Sequence, residues 1–273
     1  MLLAVDVGNT NVVCALYESM GQGGAVQSGF WRLETDAAKT ADDYYVALTD
    51  ILDSSADKVQ DAIVASVVPA VTPALEQALA RLSGKAPLVV GTPGVDLGME
   101  VRIANPEQAG ADRLVNAIGA QVDYDLPAIV LDFGTATTLD LVAADGAYEG
   151  GIIAPGVNLS LDALEMAAAQ LPRLQVRPWA SDLPVLGKDT VSAMESGVFW
   201  GYVGLIDGLL ARLRAEYGND LHAIATGGLA ALFADHVKSI TAVDPDLTVK
   251  GLVEIYKRNR GGLGDGSDTD DIA

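Results

Sequence analysis

Cysteine occurs once in the 273 residues, at Cys14, so no disulfide can form within the chain and an oxidising compartment is not implied. Cys14 alternates into a strand-like run and reads as a small core residue rather than a nucleophile. Histidine is nearly as scarce: His222 and His236 stand far apart without metal-ligand spacing, which argues against a zinc site. Basic residues are few, with 17 Lys and Arg against 37 Asp and Glu, giving a formal net charge of −20. Nucleic acid and anionic membrane surfaces are polyanions that such a chain repels, so neither is expected as a partner. Long apolar runs are missing too, since Val191–Leu213 is interrupted by Glu195, Ser196 and Asp207. The first ten residues lack a basic n-region and reach Asp6 early, unlike a secretion signal. A soluble, cytoplasmic protein is expected.

What remains is rich in core material. Half of the residues are hydrophobic and the mean hydropathy is +0.28. The length suits two domains, or one unit duplicated. Leu2–Val7 is a short apolar run stopped by Gly8 and Asn9, Val12–Tyr17 returns, and Val26–Leu33 alternates as a third strand. Thr40 has the features of an N-cap for a helix through Tyr45, Leu48 and Leu52; a strand at 62–68, a proline-opened helix at 73–82 and a short strand at 87–90 follow. The order βββαβα then recurs. Ala128–Leu131 ends in Asp132-Phe133-Gly134, Thr138–Ala143 returns, Asp145-Gly146 marks a hairpin, and Tyr148–Ile153 is the third strand. Helices are expected at 160–170, at 190–217 and at 229–237, with a strand at 223–225. The predicted architecture is α/β, with two duplicated halves at 1–122 and 123–260, a nucleotide cleft between them, and a disordered tail at 261–273.

The two strand ends carry the chemistry. In Asp6-Val7-Gly8-Asn9-Thr10-Asn11, glycine lets the backbone approach an anion, while Asn9, Thr10 and Asn11 supply short donors. Asp6 would sit beside the phosphates, holding magnesium directly or through water. Asp132, Gly134, Thr135, Thr137 and Thr138 offer the same kit. No G-x-x-x-x-G-K-[ST] P-loop is present. Either turn alone is also an ordinary hairpin. Two at equivalent positions, with Thr226-Gly227-Gly228 after a late strand, favour a nucleotide site.

A third feature is a carboxylate near a helix start. Asn105-Pro106-Glu107 reads as an N-cap with proline at N1, and Ala111, Leu114, Val115, Ile118 and Val122 form the apolar stripe. Asp112 and Arg113 fall off that stripe. They read either as a solvated pair or as a proton acceptor beside a carboxylate clamp. On the long second-half helix, Phe199, Trp200, Tyr202 and Val203 read as core or dimer contacts. Gly197, Gly201, Gly204 and Gly208 permit close helix packing, which makes this helix the candidate dimer interface.

Together, DVGNTN at 6–11, GADR at 110–113, DFGTATT at 132–138, GGIIAPG at 150–156 and GKDTVSAMESG at 187–197 resemble type III pantothenate kinases, over roughly residues 1–258. The resemblance implies two ribonuclease-H-like halves of the acetate kinase, sugar kinase, heat-shock chaperone and actin superfamily. It implies ATP-dependent phosphorylation of pantothenate at its primary hydroxyl, the first step toward coenzyme A. A homodimer with the substrate site at or near the subunit interface, magnesium, and a monovalent cation (potassium or ammonium) are implied as well. Residue by residue, it assigns ATP to Asp6, Val7, Gly8, Asn9, Thr10, Asn11, Val12, Val13 and Thr135, with Asp6 near the magnesium. It assigns proton acceptance to Asp112, pantothenate contacts to Gly110, Ala111, Asp112, Arg113 and Thr190, and the monovalent cation to Asp132. Ile103 stands where many members carry tyrosine. Other functions compatible with the same fold are a nucleotide-binding accessory or regulatory protein, and a phosphatase or chaperone-like ATPase.

Overall fold

The computed structural model describes residues 1–18, 25–167, 174–180 and 183–260; the expected tail at 261–273 lies outside the described residues. In chain order the strands and helices are β1 (Leu2–Val7), β2 (Asn11–Glu18), β3 (Val26–Glu34), α1 (Ala41–Leu52), β4 (Asp61–Ser66), α2 (Thr72–Ser83), β5 (Leu88–Val89) and α3 (Ala111–Asp123). There follow β6 (Ala128–Phe133), β7 (Ala136–Val142), β8 (Tyr148–Pro155), α4 (Val157–Ala167), α5 (Thr190–Tyr217), β9 (His222–Thr226), α6 (Ala230–Ala234), β10 (Ala242–Val243) and α7 (Leu247–Arg260).

The strands make two sheets of the same design. One runs β3-β2-β1-β4-β5 and the other β8-β7-β6-β9-β10. In each, the first three strands are antiparallel neighbours and the last two run parallel to the central strand. This is the ribonuclease-H-like arrangement, present twice. The chain groups into two compact units, one of residues 1–99, 105–122 and the segment from 248, the other of 100–104 and 123–247. The grouping differs from a division into 1–122 and 123–260, because α7 packs on the first sheet.

In the first unit, β1 buries alternate residues on opposite faces. Leu3, Val5 and Val7, with Val12, Cys14 and Leu16 of β2, pack under Tyr44, Leu48, Leu75 and Leu79 of α1 and α2. Leu2 and Ala4 face the other way, onto Val115 and Ile118 of α3 and Leu252, Ile255 and Tyr256 of α7. Helices α3 and α7 lie so close that a side chain at Gly251 would collide with the Val115 carbonyl oxygen. Asn259 and Asp96 add a reciprocal pair of bonds, each 2.8 Å, and Arg258 donates to Gln121 Oε1 at 3.3 Å. The α1 start follows the sequence: Asp43 N–H donates to Thr40 Oγ1 (3.2 Å) and Thr40 N–H to Asp43 Oδ2 (2.8 Å), a reciprocal cap. The Thr40 hydroxyl, which donates to Asp43 Oδ2 at 2.7 Å, and the Thr40 N–H hold the Asp43 carboxyl below the usual carboxylate range.

In the second unit, Ile129, Leu131, Phe133 and Leu139 pack against Phe199, Tyr202, Ile206 and Leu210 of α5 and Phe233 of α6. Trp200 packs at the edge of this core. On the opposite face the fully buried Asp140 accepts a hydrogen bond from the equally buried Tyr148 hydroxyl at 2.7 Å. Tyr148 also anchors residues 100–104: its N–H donates to Glu100 O, and Arg102 N–H donates to Tyr148 O, both at 2.8 Å. The Arg102 guanidinium then reaches Asp145 at 2.6 Å, Glu100 at 2.8 Å and Glu149 at 3.0 Å.

Three expected helices start or stop elsewhere; the one expected at 160–170 already begins at Val157 as α4. Residues 106–108 form only a 3-10 turn without a side-chain cap, Ala109 is extended at φ −67 and ψ 124, and α3 begins at Ala111. The helix expected at 229–237 is shortened to Ala230–Ala234.

Burial, with a smaller contribution from the nearby Asp6 charge, pushes the Cys14 thiol up to about 12. An unfolded-chain thiol ionises near ~8.5, so the folded form holds its proton longer than the unfolded form. This group's support for the fold is therefore complete below about 8.5 and is lost as pH climbs toward the folded value. In native protein at pH 8, a thiol reagent should label Cys14 no faster than the chain opens, and rapid stoichiometric labelling would contradict the burial.

Candidate active site

Asp6 is the penultimate residue of β1, paired with Val13 on one side and Ala65 on the other. Strand alternation places it on the Leu2 and Ala4 face, the face on which α3 packs. Beyond it the chain turns tightly, with Gly8 N–H donating to Asn11 O at 2.9 Å. Asn9, Thr10 and Asn11 are exposed at the tip, whereas Val7 and Val12 send their side chains into the core. What Val7 and Val12 offer a ligand is therefore backbone. Thr35, just after β3, braces the turn: its hydroxyl donates to Gly8 O at 2.7 Å and its N–H to Thr10 O at 3.0 Å.

Asp112 lies in the first turn of α3. Arg113 N–H and Leu114 N–H both donate to Gly110 O, at 3.1 and 3.2 Å, so Gly110 opens the helix. Asp112 Oδ1 accepts from Arg113 N–H at 2.8 Å. The carboxylate folds back over Gly110, where a Cβ would lie 2.5 Å from Oδ1. Glycine at 110 leaves room for the carboxylate in this position. The later helix start puts Asp112 nearer the N-terminal dipole than a start at Asn105 would, and that end favours negative charge.

The second unit repeats the first turn. Asp132 is penultimate in β6 and stands in one row with Thr138 and Thr226. Gly134 N–H donates to Ala136 O at 3.1 Å, and Gly156 N–H donates to Thr135 O at 3.1 Å. Thr135 is exposed. A side chain at Gly156 would collide with Thr135 O, and one at Gly227, whose φ is +89, would collide with Asp132 Oδ1. The three threonines have separate fates. Thr137 is fully buried and spends its hydroxyl on Tyr202, whose phenol is pushed up chiefly by burial. Thr138 Oγ1 is buried without a hydrogen-bond partner. Thr190 is exposed at the first position of α5, after Asp189, whose Oδ1 accepts from Ser192 N–H at 2.9 Å.

Asp6, the first turn and Gly110–Arg113 thus belong to the first unit, and Asp132, Thr135 and Thr190 to the second. Among the described residues no group of three or more His, Cys, Asp or Glu could hold a metal ion together. The donors at the two turns are carboxylates, hydroxyls and backbone amides. The carboxylate and hydroxyl oxygens among them fit magnesium, which takes one or two carboxylates plus phosphate oxygens and water. No helix among the described residues is long and apolar enough to cross a membrane. A pocket lined by Leu161, Trp179, Leu183, Val198 and Phe199 contains none of the expected site residues. Composition gave no hint of Thr35. The apolar spacing Val249, Leu252, Val253, Tyr256 could have announced α7.

A family model described as type III pantothenate kinase matches residues 2–212. The chain belongs to the type III pantothenate kinase family. A type III pantothenate kinase of Paramagnetospirillum magneticum is 52% identical over 263 residues, covering 95% of this chain and 98% of the relative. One of Caulobacter vibrioides is 50% identical over 262 residues, with 95% and 98% covered. Among solved structures, a Campylobacter jejuni protein described as a Baf family transcriptional activator superposes with a TM-score of 0.59 at 19% identity, covering 95% of this chain and 99% of its own. A Sinorhizobium meliloti protein described as a 2-dehydro-3-deoxygalactonokinase gives a TM-score of 0.58 at 16% identity, with 97% and 99% covered. At those identities the two structures speak for the fold alone. For this pantothenate kinase family member, the glycines beside Asp112 and Asp132 carry a prediction. Gly227→Ala, which meets Phe133 backbone as well as Asp132 Oδ1 at φ +89, should lower turnover on the order of 10²-fold, and Gly110→Ala, which meets the movable Asp112 carboxylate, should lower it less. Steady-state kinetics alongside thermal melts check this; full activity in both variants would rule it out.

Proposed function

We propose that this chain transfers the γ-phosphoryl group of ATP to the primary hydroxyl of pantothenate, giving ADP and 4′-phosphopantothenate, the first step toward coenzyme A. Family membership over nearly the whole chain supports the reaction, and the observation that carries the mechanism is the Asp112 carboxylate seated over Gly110 at the start of α3. The pantothenate oxygen forms a bond to the γ-phosphorus as the bond to the ADP oxygen breaks. Asp112 accepts the hydroxyl proton. Arg113, next in the same turn, takes the substrate carboxylate, with Gly110, Ala111 and Thr190 as further contacts.

The first turn, Asp6 to Val13, and Thr135 of the second take the triphosphate through backbone and hydroxyl donors. Asp6 would hold magnesium and Asp132 the monovalent cation. When bound, these cations neutralise phosphate and carboxylate charge. That help is needed in a chain with a net charge of −20. A homodimer is supported by exposed apolar side chains in the second unit, including Met166 at 80%, Leu186 at 70% and Val185 at 61%. Open space around Gly197, Gly201 and Gly204 of α5 supports the same reading.

Purified protein with ATP, magnesium and potassium should release ADP only when pantothenate is added. Asp112→Asn should lower kcat by about 10²–10⁴-fold with little change in melting temperature, the range for a lost general base. ATP turnover independent of pantothenate would instead indicate a general ATPase, and nucleotide-stabilised melting without turnover would indicate an accessory protein. Chelating the divalent metal should abolish turnover, and replacing potassium with a large organic cation should lower it. Asp132→Asn should respond less to potassium than the parent, and an undiminished response would remove Asp132 from the cation site.

A further inference from the structure

The two halves fix their turns in the same way. The strand following each turn is one residue further along in the first half, because Asp6 pairs with Val13 whereas Asp132 pairs with Thr138. Aligned from the returning strands, Thr10 therefore corresponds to Thr135. Each carbonyl is held by the residue that directly follows the third strand: Thr35 N–H donates to Thr10 O at 3.0 Å, and Gly156 N–H donates to Thr135 O at 3.1 Å. The first turn carries the extra residue and also has an extra bond, from the Thr35 hydroxyl to Gly8 O at 2.7 Å.

A trans peptide points its C=O and the next residue's N–H in opposite directions. With Gly8 O and Thr10 O both drawn toward Thr35, the N–H groups of Asn9 and Asn11 point away from it. Two amide donors on one small turn then face the same general way, an arrangement that suits an anion. We infer that Thr35 is a positioning residue for phosphoryl transfer: its hydroxyl and N–H orient the first turn's amides toward the nucleotide phosphates without touching the nucleotide. The inference rests on the proposal that this turn takes the triphosphate. The counterpart position in the second half is Gly156, where contact with Thr135 O leaves no room for a side chain. The side-chain brace therefore belongs to the first half.

The test compares Thr35→Val, which removes the hydroxyl and keeps the shape, with Thr35→Ser, which keeps the hydroxyl. Thr35→Val should raise KM for ATP on the order of ten-fold, as expected when a carbonyl loses its donor, and leave KM for pantothenate within about two-fold. Thr35→Ser should return KM for ATP to within about two-fold of the parent. Gly8→Val serves as the control on the turn itself. If Gly8→Val raises KM for ATP and Thr35→Val does not, the positioning role is overturned while the phosphate turn stands. If neither variant changes KM for ATP, the phosphate turn falls as well. Should Thr35→Val fail to fold, Thr35→Ala takes its place; unfolding of both would make Thr35 a purely structural post and overturn the inference.

Discussion

Side chains alternate across a strand, and in β1 and β6 that alternation leaves one carboxylate at the end of an otherwise buried run. Leu3, Val5 and Val7 are committed to the core beneath α1 and α2, so Asp6 has to face the other way. Ile129, Leu131 and Phe133 are committed to the core beneath α5, so Asp132 does the same in the second sheet. Shifting either strand's register by one residue would turn the carboxylate into the core and put a hydrophobic side chain in its place. Core packing therefore fixes the two candidate carboxylates before any ligand contact is considered. The glycine turns inherit their position from it, because each begins where the buried strand stops.

Glycine then does the local fitting. At 110 it makes room for the Asp112 carboxylate, at 227 for that of Asp132, and at 156 for the carbonyl of Thr135. In all three places the atom admitted is an oxygen. Small residues in this protein give acidic and polar oxygens fixed positions, and this is how a strongly acidic chain can keep a few carboxylates in defined geometry. Its other carboxylates include solvated ones, as Asp42 shows with 87% of its side chain exposed in its pair with Arg81.

Much of this was legible in the sequence. The buried strands β1 and β6 announce themselves as short apolar runs, and the aspartate and glycine that end each run mark the turns. The cap at Thr40, the hairpin at Asp145-Gly146 and the long helix α5 follow local rules that need no tertiary information. What was not legible depends on distance or competition. Asn105-Pro106 resembles a helix start, but extended Ala109 breaks the run and the helix opens at Gly110. Thr35 acts through a hydroxyl bond to a carbonyl 27 positions away, which no local pattern encodes. Helix α7 has readable spacing, but its partners Leu2 and Ala4 lie at the opposite end of the chain, and nothing local announces that pairing.

That last pairing bears on the order in which the protein can be completed. During synthesis the first sheet leaves the ribosome early, with the Leu2 and Ala4 face covered only by α3 until residues 247–260 emerge. The N-terminal half cannot finish folding as a vectorial first domain, and it must wait for nearly the whole chain. A chain truncated after residue 122 would present to solvent the apolar surface that α7 covers and would be expected to aggregate.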